Sequence, residues 1–174
     1  MYLKIFTLMY KIRVILDSKE DVIRTILVDN TINLENLHTI INHSFGFKGN
    51  EMASFYKTDD EWSQGEEIPL FNMAEAGEAI TMKSCVLIDV LPEKNNKLIY
   101  VYDFLNLWTF YVDVLEITSE TRTDLPQTIL SLGHIPEEAP EKEFIADDLS
   151  TDFMEEGENE DYFDDFDDFN YNEY

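Results

Sequence analysis

The chain has 174 residues, of which 37 are acidic and 12 basic, giving a formal net charge of −25 at neutral pH. That length fits one domain of ordinary size with an appendage. So large an acidic excess argues against binding bare nucleic acid, which requires lysine and arginine to displace condensed counterions.

The first stretch, MYLKIFTLMYKIRVIL, is apolar but interrupted by Lys4, Lys11 and Arg13. It lacks a continuous apolar h-region and a small-residue cleavage site, so no signal peptide is expected. No run approaches the ~18 apolar residues of a membrane span. Cys85 is the only cysteine, which excludes an intramolecular disulfide or a cysteine metal cluster and fits a reducing compartment. These features predict a cytoplasmic protein that does not engage a membrane.

From Lys4 to Leu16 the residues alternate. Leu8, Tyr10, Ile12, Val14 and Leu16 share one face and Lys11 and Arg13 the other, which predicts a half-buried strand. The polar cluster 17–21 is a turn, and Val22 to Val28 is a second β-branched run, so an antiparallel hairpin is the expected opening unit. Asn33 stands at an N-cap position with Glu35 in the following turn. Leu34, Leu37, Ile41 and Phe45 recur at helical spacing, and Gly46 supplies the C-cap. Met52 to Lys57 reads as a strand, followed by a polar loop carrying Trp62 and an irregular segment from Leu70 to Ile80. Met82 to Leu91 fits either a strand, with Val86, Ile88 and Val90 on one face, or a helix behind Thr81; Pro92 ends it in both cases.

Lys97 to Ile117 is the most aromatic part of the body. Leu98 to Tyr102 and Leu107 to Ile117 read as paired strands around a turn at Asp103 to Asn106. On the second strand Trp108, Phe110, Val112 and Val114 share a face. Leu125 to Leu132 predicts a short helix behind Pro126, ended by Gly133. The order strand, strand, helix, strand, strand pair predicts an α+β domain over residues 1–136: a mixed β-sheet with a helix packed on one face, β-grasp-like in element order.

Residues 137–174 hold 17 acidic side chains against the single base Lys142, a net of −16, while residues 1–136 carry a net of −9. Blocks of like charge repel and stay extended, so a largely disordered acidic tail is expected. Within it Phe163, Phe166 and Phe169 recur every third residue between aspartate pairs. A solubilising tail needs no aromatics; a segment that folds against a basic protein surface does.

Three stretches together resemble a known family: Leu34 to Phe47, Met52 to Trp62 and Tyr100 to Trp108. They are similar to the plasmid pRiA4b ORF-3-like family, also labelled the insertion-element passenger TnpR family. The likeness is greatest to a Bacteroidetes-type subgroup whose members also end in a long acidic tail. The resemblance implies an α+β, β-grasp-like fold and favours the helical reading of Met82 to Leu91. The family's hairpin reads Tyr-Asp-Phe-Gly-Asp-x-Trp-x-His. Tyr102, Asp103, Phe104 and Trp108 match it, whereas Leu105, Asn106 and Phe110 replace its glycine, second aspartate and histidine. A serine recombinase gathers arginines around the scissile phosphate, and three scattered arginines (Arg13, Arg24, Arg122) do not suit that chemistry.

The candidate interaction residues are therefore Tyr102, Asp103, Trp108, His38, Trp62, Phe163, Phe166 and Phe169. His38 lies beside the apolar helical stripe, and His43 is five residues on, about 500° around the helix and off the i, i+4 spacing of a zinc helix. Asp103 suits an Asx-turn as well as a general base or metal ligand. Asp59, Asp60 and Glu61 lack the spaced pattern of a calcium loop. The combined expectation is a non-enzymatic interaction module without a cofactor, whose acidic tail binds a basic protein partner. Two other readings are an accessory protein in transposition or mobile-element DNA transactions, and an enzyme or metal-binding protein using Asp103 with His38.

Overall fold

Alternation in the first strand fixes which side of the sheet becomes the core. In the computed structural model, which describes residues 7–73, 77, 79–120 and 122–142, β1 (Met9–Leu16) buries Tyr10, Ile12, Val14 and Leu16 while Lys11 and Arg13 stay half-exposed. It pairs antiparallel with β2 (Ile23–Asp29), as the hairpin reading requires. The chain continues through α1 (Leu34–Phe45), β3 (Ala53–Lys57), β4 (Glu67–Pro69), a 3-10 turn (Met82–Ser84) and the single-turn α2 (Leu87–Val90). The hairpin β5 (Lys97–Tyr102) and β6 (Trp108–Thr118) follows, and β7 (Gln127–Leu132) closes the order.

The seven strands form one sheet in the order β4-β3-β5-β6-β1-β2-β7, and every pairing is antiparallel. The mixed sheet expected from the element order is therefore corrected. The two strands flanking α1, β2 and β3, do run in the same direction. However, β1, β6 and β5 lie between them, so the parallel strands never meet.

The helix is built as its sequence requires. Asn33 and Asn36 form a reciprocal capping box, with the Asn36 N–H donating to Asn33 Oδ1 at 2.8 Å, and Gly46 closes the helix at φ +81°. Leu34, Leu37, Ile41 and Phe45 join the same buried cluster as the inward residues of β1, β5 and β6, and Phe45 meets Phe110 at 4.8 Å between ring centres. Fully burying a Leu or Phe side chain contributes about 1.5–3 kcal/mol, so this cluster is the main source of the body's stability.

Three further segments differ from expectation. Leu125 to Leu132 is not a helix, because a stretch of one or two turns is marginal as a helix in water. The unpaired side of β2 gives it a ladder instead, and β7 forms with a bulge at Ile129. Met82 to Leu91 is neither a continuous strand nor a continuous helix. Its backbone is pinned beside the start of α1: Val86 bridges Asn33, Leu34 N–H donates to Cys85 O at 2.9 Å and Leu87 N–H to Ile32 O at 2.8 Å. Short β4 is not evident from its sequence, and Pro69 is tolerated there because the strand is an edge. Among the described residues no helix is long and apolar enough to cross a membrane.

Candidate functional site

The polar residues that drew attention in the sequence fall into separate environments. His38 lies on the buried side of α1 and is 3% exposed. Its Nδ1 is 2.7 Å from the Tyr100 hydroxyl, and Asn42, one helical turn on, donates from Nδ2 to the same hydroxyl oxygen at 3.1 Å. A ring N–H of His38 bonds the Gly49 backbone carbonyl. Asn42 Nδ2 also lies 3.2 Å from Nδ1, so Nδ1 is assigned as the acceptor and the proton of the neutral ring to Nε2. Both ring nitrogens are thereby used within the protein.

Burial sets the electrostatics of this node. Desolvation pushes the His38 imidazolium below its ordinary pKa, outweighing the Gly49 bond and nearby Glu35, which act in the opposite sense. Desolvation likewise raises the Tyr100 phenol far above its usual value, outweighing its bond with Asn42. Both shifts favour the neutral forms of the histidine and the tyrosine. Gly49 is held from two sides, because its N–H donates to the Tyr102 hydroxyl at 3.1 Å while its carbonyl takes the His38 proton. Its φ of +75° is a conformation glycine adopts without steric cost. The node thus fastens α1, the loop after it and β5 to one another.

Tyr102 and Trp108 stand opposite each other at the base of the β5–β6 hairpin and are 3% and 7% exposed. Phe47 packs against both, at 5.1 and 5.0 Å between ring centres. They are core aromatics rather than an open platform. The hairpin turn above them is stabilised by Asp103. Its Oδ1 accepts from the Leu105 N–H at 3.1 Å, and its Oδ2 accepts from Asn106 Nδ2 at 2.6 Å. This is the Asx-turn arrangement, and φ of +60° suits aspartate. The turn exposes Phe104 and Leu105, the latter 92% exposed. His38 and Asp103 have separate partners, so the structure joins His38 to Tyr100, Asn42 and Gly49 and leaves Asp103 within its own turn.

Trp62 folds onto Tyr111 of β6 at 4.9 Å between ring centres, and Lys97 Nζ lies 5.2 Å from the indole centre. Tyr111 belongs to the face of β6 opposite Trp108 and Phe110, so Trp62 covers the outer side of the sheet. The neighbouring carboxylates are dispersed. Asp59 accepts the Glu61 and Ser63 N–H groups, while Asp60 pairs with Lys97 at 2.9 Å. Among the described residues no three His, Cys, Asp or Glu side chains gather as a metal site. Phe163, Phe166 and Phe169, and the expected disorder of the tail, lie outside the described residues.

Two polar contributors were not singled out from the sequence. Asn42 carries a signal, since it follows His38 by four residues and so shares its helical face. The other is Asp113, 7% exposed on β6 and held by a two-pronged pair with Arg13, Nε to Oδ1 at 2.9 Å and Nη2 to Oδ2 at 2.7 Å. The residues lie 100 positions apart, so only the β1–β6 register, in which Arg13 opposes Asp113, brings them together.

Comparison with known proteins supplies the lineage. No curated protein matches the chain. A crystal structure of a protein of unknown function, MM3350 from Methanosarcina mazei Go1, is similar with a TM-score of 0.60. It has 19% sequence identity and covers 72% of this chain and 70% of that one, which shows a shared fold. The family description "Plasmid pRiA4b ORF-3-like protein" matches residues 8–144, a span that takes in the capped helix, the buried node and the aromatic hairpin. The chain belongs to the plasmid pRiA4b ORF-3-like family.

Proposed function

We propose that this protein is a cytoplasmic, non-enzymatic interaction module whose acidic tail engages a basic protein surface. The observation that carries this reading is the concentration of a net −16 in residues 137–174, interleaved with Phe163, Phe166 and Phe169. Charge steers the encounter and aromatic burial supplies affinity when such a segment folds onto a partner. The body supports the reading through its own chemistry. His38 uses both nitrogens internally and Asp103 uses both oxygens in its turn, so each has a structural occupation. The β-grasp-like description of the body rests on the element order alone, with α1 inserted between the opening hairpin and β3.

The test is affinity purification with full-length protein and with protein lacking residues 144–174, each at low and high salt. A basic partner that is retained by the full-length protein, released by salt and absent with the shortened one supports the proposal. A partner retained equally by both proteins refutes the role of the tail.

A further inference from the structure

An open sheet has two edges, and here they are built differently. The β4 edge has three residues and carries Glu67 and Pro69, a charge and a proline of the kind that discourages further strand pairing. The β7 edge has six residues, Gln127–Leu132, with neither charge nor proline. Ile129, Leu130 and Leu132 are 44%, 48% and 48% exposed. One side of β7 bonds to β2, and the other pairs with no described strand. Its outward N–H and C=O groups are a template for another extended chain.

Beside this edge lies a groove of about 230 Å³, lined by Met9, Leu27 and Ile129 with Lys11, Glu116, Thr118 and Glu120. That volume is below the ~300–1,000 Å³ of small-molecule sites and suits a single long side chain. Ile129 is the bulged residue of β7, and bulges commonly re-aim a side chain in this way. The polar groups of the groove are mostly acceptors. Glu116 and Glu120 bring two carboxylates against one ammonium, Lys11, whose contact with Glu116 is a loose 3.9 Å. Thr118 Oγ1 in the lining is buried without a hydrogen-bond partner among the described residues, and so is Gln127 Oε1. Gln127 ends the cross-strand row Glu116, Lys11, Leu27, Gln127.

We propose that the β7 edge and this groove bind an extended peptide segment of a partner protein, which adds a strand to β7 and lodges a lysine or arginine in the groove. A guanidinium or ammonium brings three to five donors to a site short of donors, and its aliphatic stem matches the floor of Met9, Leu27 and Ile129. A second copy of this chain, at a net charge of −25, and an anionic lipid surface are both disfavoured by like charge. The inference shares with the tail proposal only the basic character of the partner, and the tail takes no part in it.

The test selects phage-displayed random heptapeptides on the full chain. The selected peptides are then titrated as synthetic material into isotope-labelled protein and followed by amide NMR. The expected peptides combine an arginine or lysine with β-branched residues and shift the amides of Gln127–Leu132 and Thr118. The exposed-residue variant Glu116→Gln/Glu120→Gln weakens binding about tenfold, Leu130→Lys at the edge abolishes it, and removal of residues 144–174 leaves it unchanged. Peptides insensitive to both variants, or no selected peptide at all, would overturn the proposal. Binding lost only when the tail is removed would also overturn it, while leaving the tail reading intact.

Discussion

Replacing Tyr100 with phenylalanine isolates the energetic role of the buried node. The ring remains, with its contacts to Phe55 at 4.7 Å and Phe110 at 5.7 Å between centres, so no cavity opens. Only the hydroxyl is lost, and with it the proton accepted by His38 Nδ1 and the oxygen that receives Asn42 Nδ2. Both residues are at least 97% buried, so solvent does not replace the missing partner, although Asn42 Nδ2, already 3.2 Å from His38 Nδ1, can pair with it in the variant. An orphaned buried polar group costs about 1–3 kcal/mol, and shared relaxation within one network makes the pair less than additive. The expected loss is about 1–3 kcal/mol, a sizeable part of the ~5–15 kcal/mol that holds a typical domain together. With a urea m-value of about 2 kcal/mol/M, in the middle of the usual range, the unfolding midpoint falls by roughly 0.5–1.5 M at unchanged m. A loss below about 0.5 kcal/mol, the size of an ordinary surface substitution, would refute the claim that this network fastens α1 to the sheet.

The same node predicts a pH dependence. The His38 pKa is lowered in the folded protein, so below the ordinary histidine value of ~6.5 the unfolded chain binds more protons and stability falls. Denaturation midpoints measured from pH 7.5 down to pH 5 should therefore decline, and His38→Gln should flatten that part of the profile; an equal decline in the variant would assign the effect elsewhere. At the hairpin, Asp103→Ala removes the acceptor for Leu105 and Asn106 and should cost about 1 kcal/mol, whereas Asp103→Asn, which retains one acceptor oxygen, should cost less. Thermal melts of the two variants decide this, and equal losses would contradict the Asx-turn role. Gly46→Ala and Gly133→Ala both place a side chain at positive φ, for about 1–2 kcal/mol. A Cβ at Gly46 meets open space, while one at Gly133 runs into the backbone carbonyl of Asp21. Gly133→Ala should therefore be the more damaging, and should speed amide exchange selectively in β7. Equal effects would contradict the close approach.

Elements whose signal is local were legible in the sequence. Asn33 and Gly46 bracket α1 as read, because capping depends on residues within one turn. Alternation in Leu8 to Leu16 and in Trp108 to Val114 gave the buried faces of β1 and β6, because a strand's two sides differ only in side-chain polarity. What depended on distant partners was not legible. The sequence of β7 reads as a short helix behind Pro126, and the free side of β2 makes it a strand instead. The all-antiparallel order depends on where the β5–β6 hairpin inserts, and no local pattern encodes that. Tyr102 and Trp108, offered by the sequence as interaction candidates, are buried, and the reason His38 is buried lay in Tyr100, 62 residues away. The imbalance of charge needed no fold at all to be seen, since it follows from counting side chains.

The central claim is that the acidic tail binds a basic partner while the body serves as its folded support. The most direct measurement is the salt dependence of affinity between a purified basic partner and the protein with and without residues 144–174. Exposed charges are screened over a Debye length of ~10 Å at 0.1 M salt, so binding by the full-length chain should weaken steeply as salt rises and should be lost with the tail. Affinity that is independent of salt, or equal in the two proteins, would contradict the claim.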